Sequence, residues 1–202
     1  IISSMKAEKG GTLSEQIQNL IECGFIRKYM VREKKVVKEN SGIYQLVDPF
    51  TLFHLYFNSK AKGDTRFWEN HINTPIVNTW LGLAFEKVCL LHTQQIKEAL
   101  RIDAISTQQY SWRSKDKKTP AQIDLIIDRA DGMINLCELK YSEIDYTLTE
   151  SEFNKMERRF AAFVSETGTR KGIFKTLITA SPLKKNQYSE SIPVKLTADC
   201  LY

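Results

Sequence analysis

Gln122-Ile-Asp-Leu-Ile-Ile-Asp-Arg-Ala-Asp-Gly-Met-Ile-Asn-Leu-Cys-Glu-Leu-Lys140 is the stretch that decides how this chain is read. Ile123, Leu125 and Ile127 alternate with Gln122, Asp124 and Asp128, broken only by Ile126, and Met133 to Tyr141 is a second β-prone run. Ala130-Asp131-Gly132 between them suits a three-residue hairpin loop with glycine in the left-handed position. That loop pairs Arg129 with Met133, and counting back sets Asp124 opposite Glu138. Residues two apart share a face, so Lys140 joins them.

Two carboxylates facing each other across a strand pair repel and call for a cation between them. A hard divalent ion such as Mg²⁺ or Mn²⁺ is one answer, because it prefers oxygen ligands and needs few protein groups. Lys140 would then orient a nucleophilic water or offset charge on a phosphate. The other answer is a salt bridge from Asp124 or Glu138 to Lys140 on a solvated sheet face.

A chain of 202 residues, 42% hydrophobic and 26% charged, has the make-up of a globular protein with one or two cores. It starts at Ile1 and reads as a piece of something longer. Neither a signal peptide nor a membrane-spanning apolar run is visible; the richest run, Trp80 to Leu91, is interrupted by Glu86 and Lys87. The cysteines at 23, 89, 137 and 200 lack CxxC spacing, which favours reduced thiols in a cytoplasmic protein over a zinc site or disulfides. A net charge of +5 permits a polyanionic partner without demanding one.

Two units are expected, 1–60 and 61–202. In the first, Thr12-Leu-Ser-Glu15 has the pattern of a capping box opening a helix that Gly24 ends. A strand from Phe25, a basic stretch, a turn at Glu39-Asn-Ser-Gly42 and a strand from Ile43 to Val47 follow. Helix, strand, basic turn, strand is the back half of a winged helix. Arg32, Lys34, Lys35 and Lys38 would decorate its wing and contact DNA phosphates. The helix in the recognition position carries Glu15 and Glu22 and no basic residue, which argues against base-specific reading. Asp48-Pro49 caps a short aromatic helix, and Ser59 to Asp64 reads as a linker.

In the second unit, Pro75 opens a helix expected to reach about Leu100, apolar nearly all round and therefore buried. Glu86 in its middle needs a partner, a proton or a metal. A strand pair or one bent strand from Ile102 to Trp112, a basic loop from Arg113 to Lys118 and the hairpin come next. They are followed by an amphipathic helix from Thr147 to Thr167, with Lys155, Arg158 and Arg159 partly outward, and by strands at 172–180 and 193–196. The basic residues of that helix are either DNA-backbone contacts or a solvated face.

This order of elements, with an acid on the helix, Asp on the second strand and Glu-x-Lys on the third, resembles the PD-(D/E)XK nuclease superfamily. The resemblance implies an α/β fold with a central mixed sheet flanked by helices. It assigns metal binding to Glu86, Asp124 and Glu138 and assistance of the attacking water to Lys140. Ile123 stands where the superfamily has proline. Four stretches, Tyr44–Phe50, Trp80–Glu86, Ala121–Arg129 and Ile134–Lys140, look like the C-terminal part of a prokaryotic AAA-type ATPase family. In that family a P-loop ATPase domain is followed by a winged helix and a nuclease-like domain. No GxxxxGK[ST] occurs here, so ATP binding would belong to residues outside this sequence. Two functions follow as expectations: Mg²⁺-dependent cleavage of DNA, or a catalytically silent module that binds DNA or a partner protein and regulates the upstream ATPase.

Overall fold

The computed structural model describes residues 11–33, 36–72, 74–116, 118 and 120–202. The chain divides into two compact units, Ile1–Tyr29 with Gly42–Asn70, and Met30–Ser41 with His71–Tyr202.

Among the described residues, the first element of the first unit is α1 (Gly11–Glu22). Thr12 already lies inside this helix, so it cannot be the N-cap that its sequence pattern suggested. Two strands follow, β1 (Ile26–Glu33) and β2 (Val36–Leu46), of which Met30–Ser41 belong to the second unit. The turn expected at Glu39–Gly42 is instead part of β2, because ladder pairing overrides local turn preference in a strand. The wing lysines Lys34 and Lys35 fall between the two strands and lie outside the described residues. Asp48 caps α2 (Pro49–Ala61) by accepting a 2.6 Å hydrogen bond from the Thr51 amide, with Pro49 pre-set for the first turn. Most of the expected linker is ordered structure: α2 continues through Ser59 and Lys60. It stops only where Lys62 and Gly63 take positive φ, 46° and 86°. Phe53, Phe57 and Trp68 pack ring against ring between α2 and α3 (Phe67–His71).

The second unit is α/β. Its mixed sheet runs β3 (Thr107–Arg113), β4 (Gln122–Arg129), β5 (Met133–Lys140), β6 (Gly172–Thr179), β7 (Val194–Thr197). The pairs β3–β4 and β4–β5 are antiparallel, whereas β5–β6 and β6–β7 are parallel. At the far edge, Val31 lies in parallel register with Ser111. The single strand β3, offset by one residue between Tyr110 and Trp112, settles the strand-pair-or-bent-strand question.

Helices flank the sheet. α4 (Pro75–Leu91) packs against β5. It stops at Leu91, short of the expected Leu100: at His92 the chain turns into a separate helix, α5 (Thr93–Ala99), and Thr93 spends its hydroxyl on the Leu90 carbonyl. α4 buries Val77, Phe85, Cys89 and Leu90, but Ile76, Leu83 and Leu91 are exposed, so the all-round apolar helix is only partly covered. α6 (Glu150–Thr167) packs on β4 and inserts Met156, Phe160 and Phe163 into a core with Trp112, Ile126 and Leu136. It opens with a full capping box: Thr149 accepts from the Glu152 amide, and Glu152 accepts from the Thr149 amide. α7 (Gln187–Glu190) and a closing 3₁₀ turn (Ala198–Leu201) complete the chain. Among the described residues, no helix is long and apolar enough to cross a membrane.

Candidate functional site

The hairpin places the site. Its loop is the expected three residues, with Gly132 at φ +83°, where an L side chain would be strained. The ladder pairs Leu125–Cys137, Ile126–Leu136, Ile127–Asn135 and Asp128–Ile134; carried one residue further, it sets Asp124 across from Glu138. Alternation then puts Asp124, Glu138 and Lys140 on one face, at the end of the hairpin away from its turn. β5 is buried over six consecutive residues, so this is no solvated sheet face. Glu138 is only 7% exposed, while Asp124 and Lys140 are half-buried.

Glu86 is half-buried on α4 and belongs to the same electrostatic neighbourhood. Burial pushes its carboxyl up to about 7, and the charge of Asp124 pushes the same way. Lys87 and Lys140 pull it down, and Glu138 raises it again. Asp124, Glu138 and Lys140 thus share one face of the hairpin, and the charges of all three act on Glu86 of α4.

Their cations are distributed unevenly. Lys140 Nζ lies 3.0 Å from Glu138 Oε1, so the salt bridge left open by the sequence is present, at a buried acid. Arg159 Nη2, from α6, donates to the same oxygen at 2.7 Å. Arg159, expected among DNA-backbone contacts, is thus a half-buried partner of Glu138, while Lys155 and Arg158 on the same helix are exposed. Asp124 Oδ1 accepts from Gln122 Nε2 at 2.5 Å, and Gln122 Oε1 accepts from Arg113. The basic loop is tied down as well: Ser114 and the Lys115 amide both donate to Glu166 of α6.

Sequence reasoning missed three neighbours. Arg159 was named for another role. Burial lowers the Lys87 ammonium from its usual range, opposed by Glu86 and Asp124. Tyr146 has a buried hydroxyl, held above its ordinary range by burial and then by the charge and hydrogen bond of Glu152, with Glu138 adding to the effect. Lys87 adjoins Glu86 in sequence and was legible as a second charge in an apolar helix. Nothing local marks Tyr146.

The donor set can be tested against a metal on its chemistry. Among the described residues, no three His, Cys, Asp or Glu side chains stand close enough to hold an ion in this arrangement. Mg²⁺ asks for less, often one or two carboxylates with waters completing its shell. Asp124 and Glu138 are hard oxygen donors in facing register on adjacent strands, so their chemistry fits once Glu138 exchanges its cationic partners. A separate cleft, lined by Ser106, Gln108, Asp128 and Lys171 among others, lies at the turn end of the hairpin and shares none of the four residues. There Lys171 Nζ bonds Asp128 Oδ1 at 2.5 Å and the Arg129 carbonyl at 2.7 Å, pinning the start of β6 to β4. Cys89 and Cys137 are buried free thiols, and burial pushes Cys89 up to about 12.

No family model and no curated protein matches the chain. Among solved structures it is similar to the crystal structure of a protein of unknown function, AF1548, at 16% identity and a TM-score of 0.35. That match spans 54% of this chain and 59% of the other.

Proposed function

We propose that the second unit is a PD-(D/E)XK nuclease-like domain that cleaves DNA phosphodiesters with Mg²⁺ or Mn²⁺. The observation carrying this reading is the convergence of Glu86, Asp124, Glu138 and Lys140 from one helix and two strands, with Asp124 and Glu138 in facing register. Asp124 and Glu138 would hold the ion, and Glu86 would add a third carboxylate. When bound, the ion supplies an activated water and neutralises charge at the scissile phosphate. Lys140, two residues from Glu138 on the same strand, would orient that water. The exposed Lys155 and Arg158 on α6 would hold the DNA backbone. The helix–hairpin order of α1, β1 and β2 supports a winged helix as the preceding module, and the whole would form the C-terminal part of an AAA-type ATPase.

A second reading has its own support. Glu138 is already neutralised by Lys140 and Arg159, an arrangement equally suited to a silent module that binds DNA or a protein and regulates the ATPase. Calorimetric titration of Mn²⁺ and Mg²⁺ separates the two, with Asp124→Ala and Glu138→Ala as controls and nicking of supercoiled DNA assayed on the same samples. Saturable binding lost in both variants, with metal-dependent nicking, is the expected result. Absence of any metal binding would sink the nuclease reading and leave the silent module.

A further inference from the structure

Two cations converge on one oxygen of one carboxylate, and they are attached to the fold differently. Lys140 sits two residues from Glu138 on β5, so the backbone holds its ammonium near Glu138 whatever else binds there. Arg159 comes from α6, 21 positions along the chain, on a long side chain that remains 28% exposed. Its neighbours Lys155 and Arg158 point to solvent. A carboxylate as buried as Glu138 is costly without compensating charge, and here a guanidinium supplies what an ion would supply.

We infer that Arg159 competes with the divalent ion for Glu138, so that metal loading and release of the Arg159 guanidinium are one event. This rests on the metal-binding reading above. Held by Glu138, the guanidinium offsets the repulsion of the facing carboxylates. Released, it joins Lys155 and Arg158 on the exposed face of α6, where its planar fork suits two oxygens of a phosphate. Arg159 is a positioning residue in this scheme. It sets when Glu138 becomes available, and it couples ion binding to backbone contact.

The test is calorimetric titration of Mn²⁺ into the full chain and its Arg159→Met, Arg159→Gln, Glu138→Ala and Lys185→Met variants, with circular dichroism to verify folding. Removing a charge-assisted hydrogen bond that competes with the ion should tighten Mn²⁺ binding about tenfold in Arg159→Met. Arg159→Gln, which keeps a hydrogen-bond donor for Glu138, should move the same way and carries the test if the methionine variant does not fold. Glu138→Ala should lose the binding. Lys185→Met, which removes an exposed cation elsewhere, should match the unmodified chain. Equal or weaker affinity in the Arg159 variants, beside Glu138-dependent binding in the unmodified chain, would overturn the competition and leave the metal site standing. The same gain in Lys185→Met would reduce the effect to net charge and also overturn it. No Mn²⁺ binding in any protein would remove the metal reading, and this inference with it.

Discussion

Glu86 carries the strongest single-residue signature in the site. It is a carboxyl half-buried on an apolar helix, raised to about 7 first by burial and then by Asp124. A raised acid has a definite consequence for stability. In the unfolded chain Glu86 titrates near 4.5, so between there and about 7 the folded state binds more protons. Its contribution to stability therefore falls as pH rises through that window. Glu86→Gln removes the contribution. The expected outcome is that the variant gains on the unmodified chain between about pH 5 and about pH 8, read from urea midpoints at each pH. A gap that stays constant across that range would show that Glu86 titrates normally. The same residue scale explains why Glu138 differs from an ordinary strand glutamate: it is buried, and two cations meet it at one oxygen.

At the scale of elements, the hairpin and α6 build the site together. The hairpin brings Asp124 and Glu138 face to face through its register, and α6 brings Arg159 to Glu138. α6 also clamps the basic loop through Glu166 and takes Lys175 of β6 on Glu157 at 2.6 Å. Its start is fixed by the Thr149–Glu152 capping box. Thr149→Ala removes one half of the box and should cost about 1 kcal/mol in urea unfolding. Because the first turn of α6 lies well before Arg159, the variant should keep whatever Mn²⁺ affinity the unmodified chain has. A loss of metal affinity alongside the loss of stability would mean that the N-terminal end of α6 positions the site more tightly than the contacts at Glu138 suggest.

At the scale of the whole molecule, the core of the second unit is hydrocarbon. Phe163, fully buried, meets Trp112 edge to face with ring centres 5.5 Å apart, over a sheet floor that includes Ile126, Ile134 and Leu136. None of the four candidate site residues belongs to that cluster. Chelation with EDTA should therefore abolish any nicking and lower the thermal midpoint only by the small amount that loss of a ligand bound to the folded state removes. Phe163→Ala should lower stability by about 4 kcal/mol. Loss of the folded state on chelation, beyond that linkage effect, would instead make the metal a structural element.

The hairpin, its three-residue loop and the facing of Asp124 and Glu138 were all legible in the sequence. Period-two alternation and a left-handed glycine act over a few residues, and register follows from them by counting. The caps at Asp48 and Thr149 belong to the same class of local signal, although Thr149 had been placed inside its helix rather than at its cap. Where local signals misled, a neighbour had intervened. Glu39–Gly42 became strand because a partner strand pairs with it, and the long helix expected from Pro75 turns at His92 where the chain enters α5. The Lys140 salt bridge to Glu138 was an option the sequence offered, but only the tertiary structure decided that Arg159 reaches the same carboxylate, and that Lys171, 43 positions away, ties down Asp128. A buried carboxylate takes whichever long cationic side chain the packing delivers. That choice depends on how a helix lies across the sheet, and no spacing along the chain encodes it.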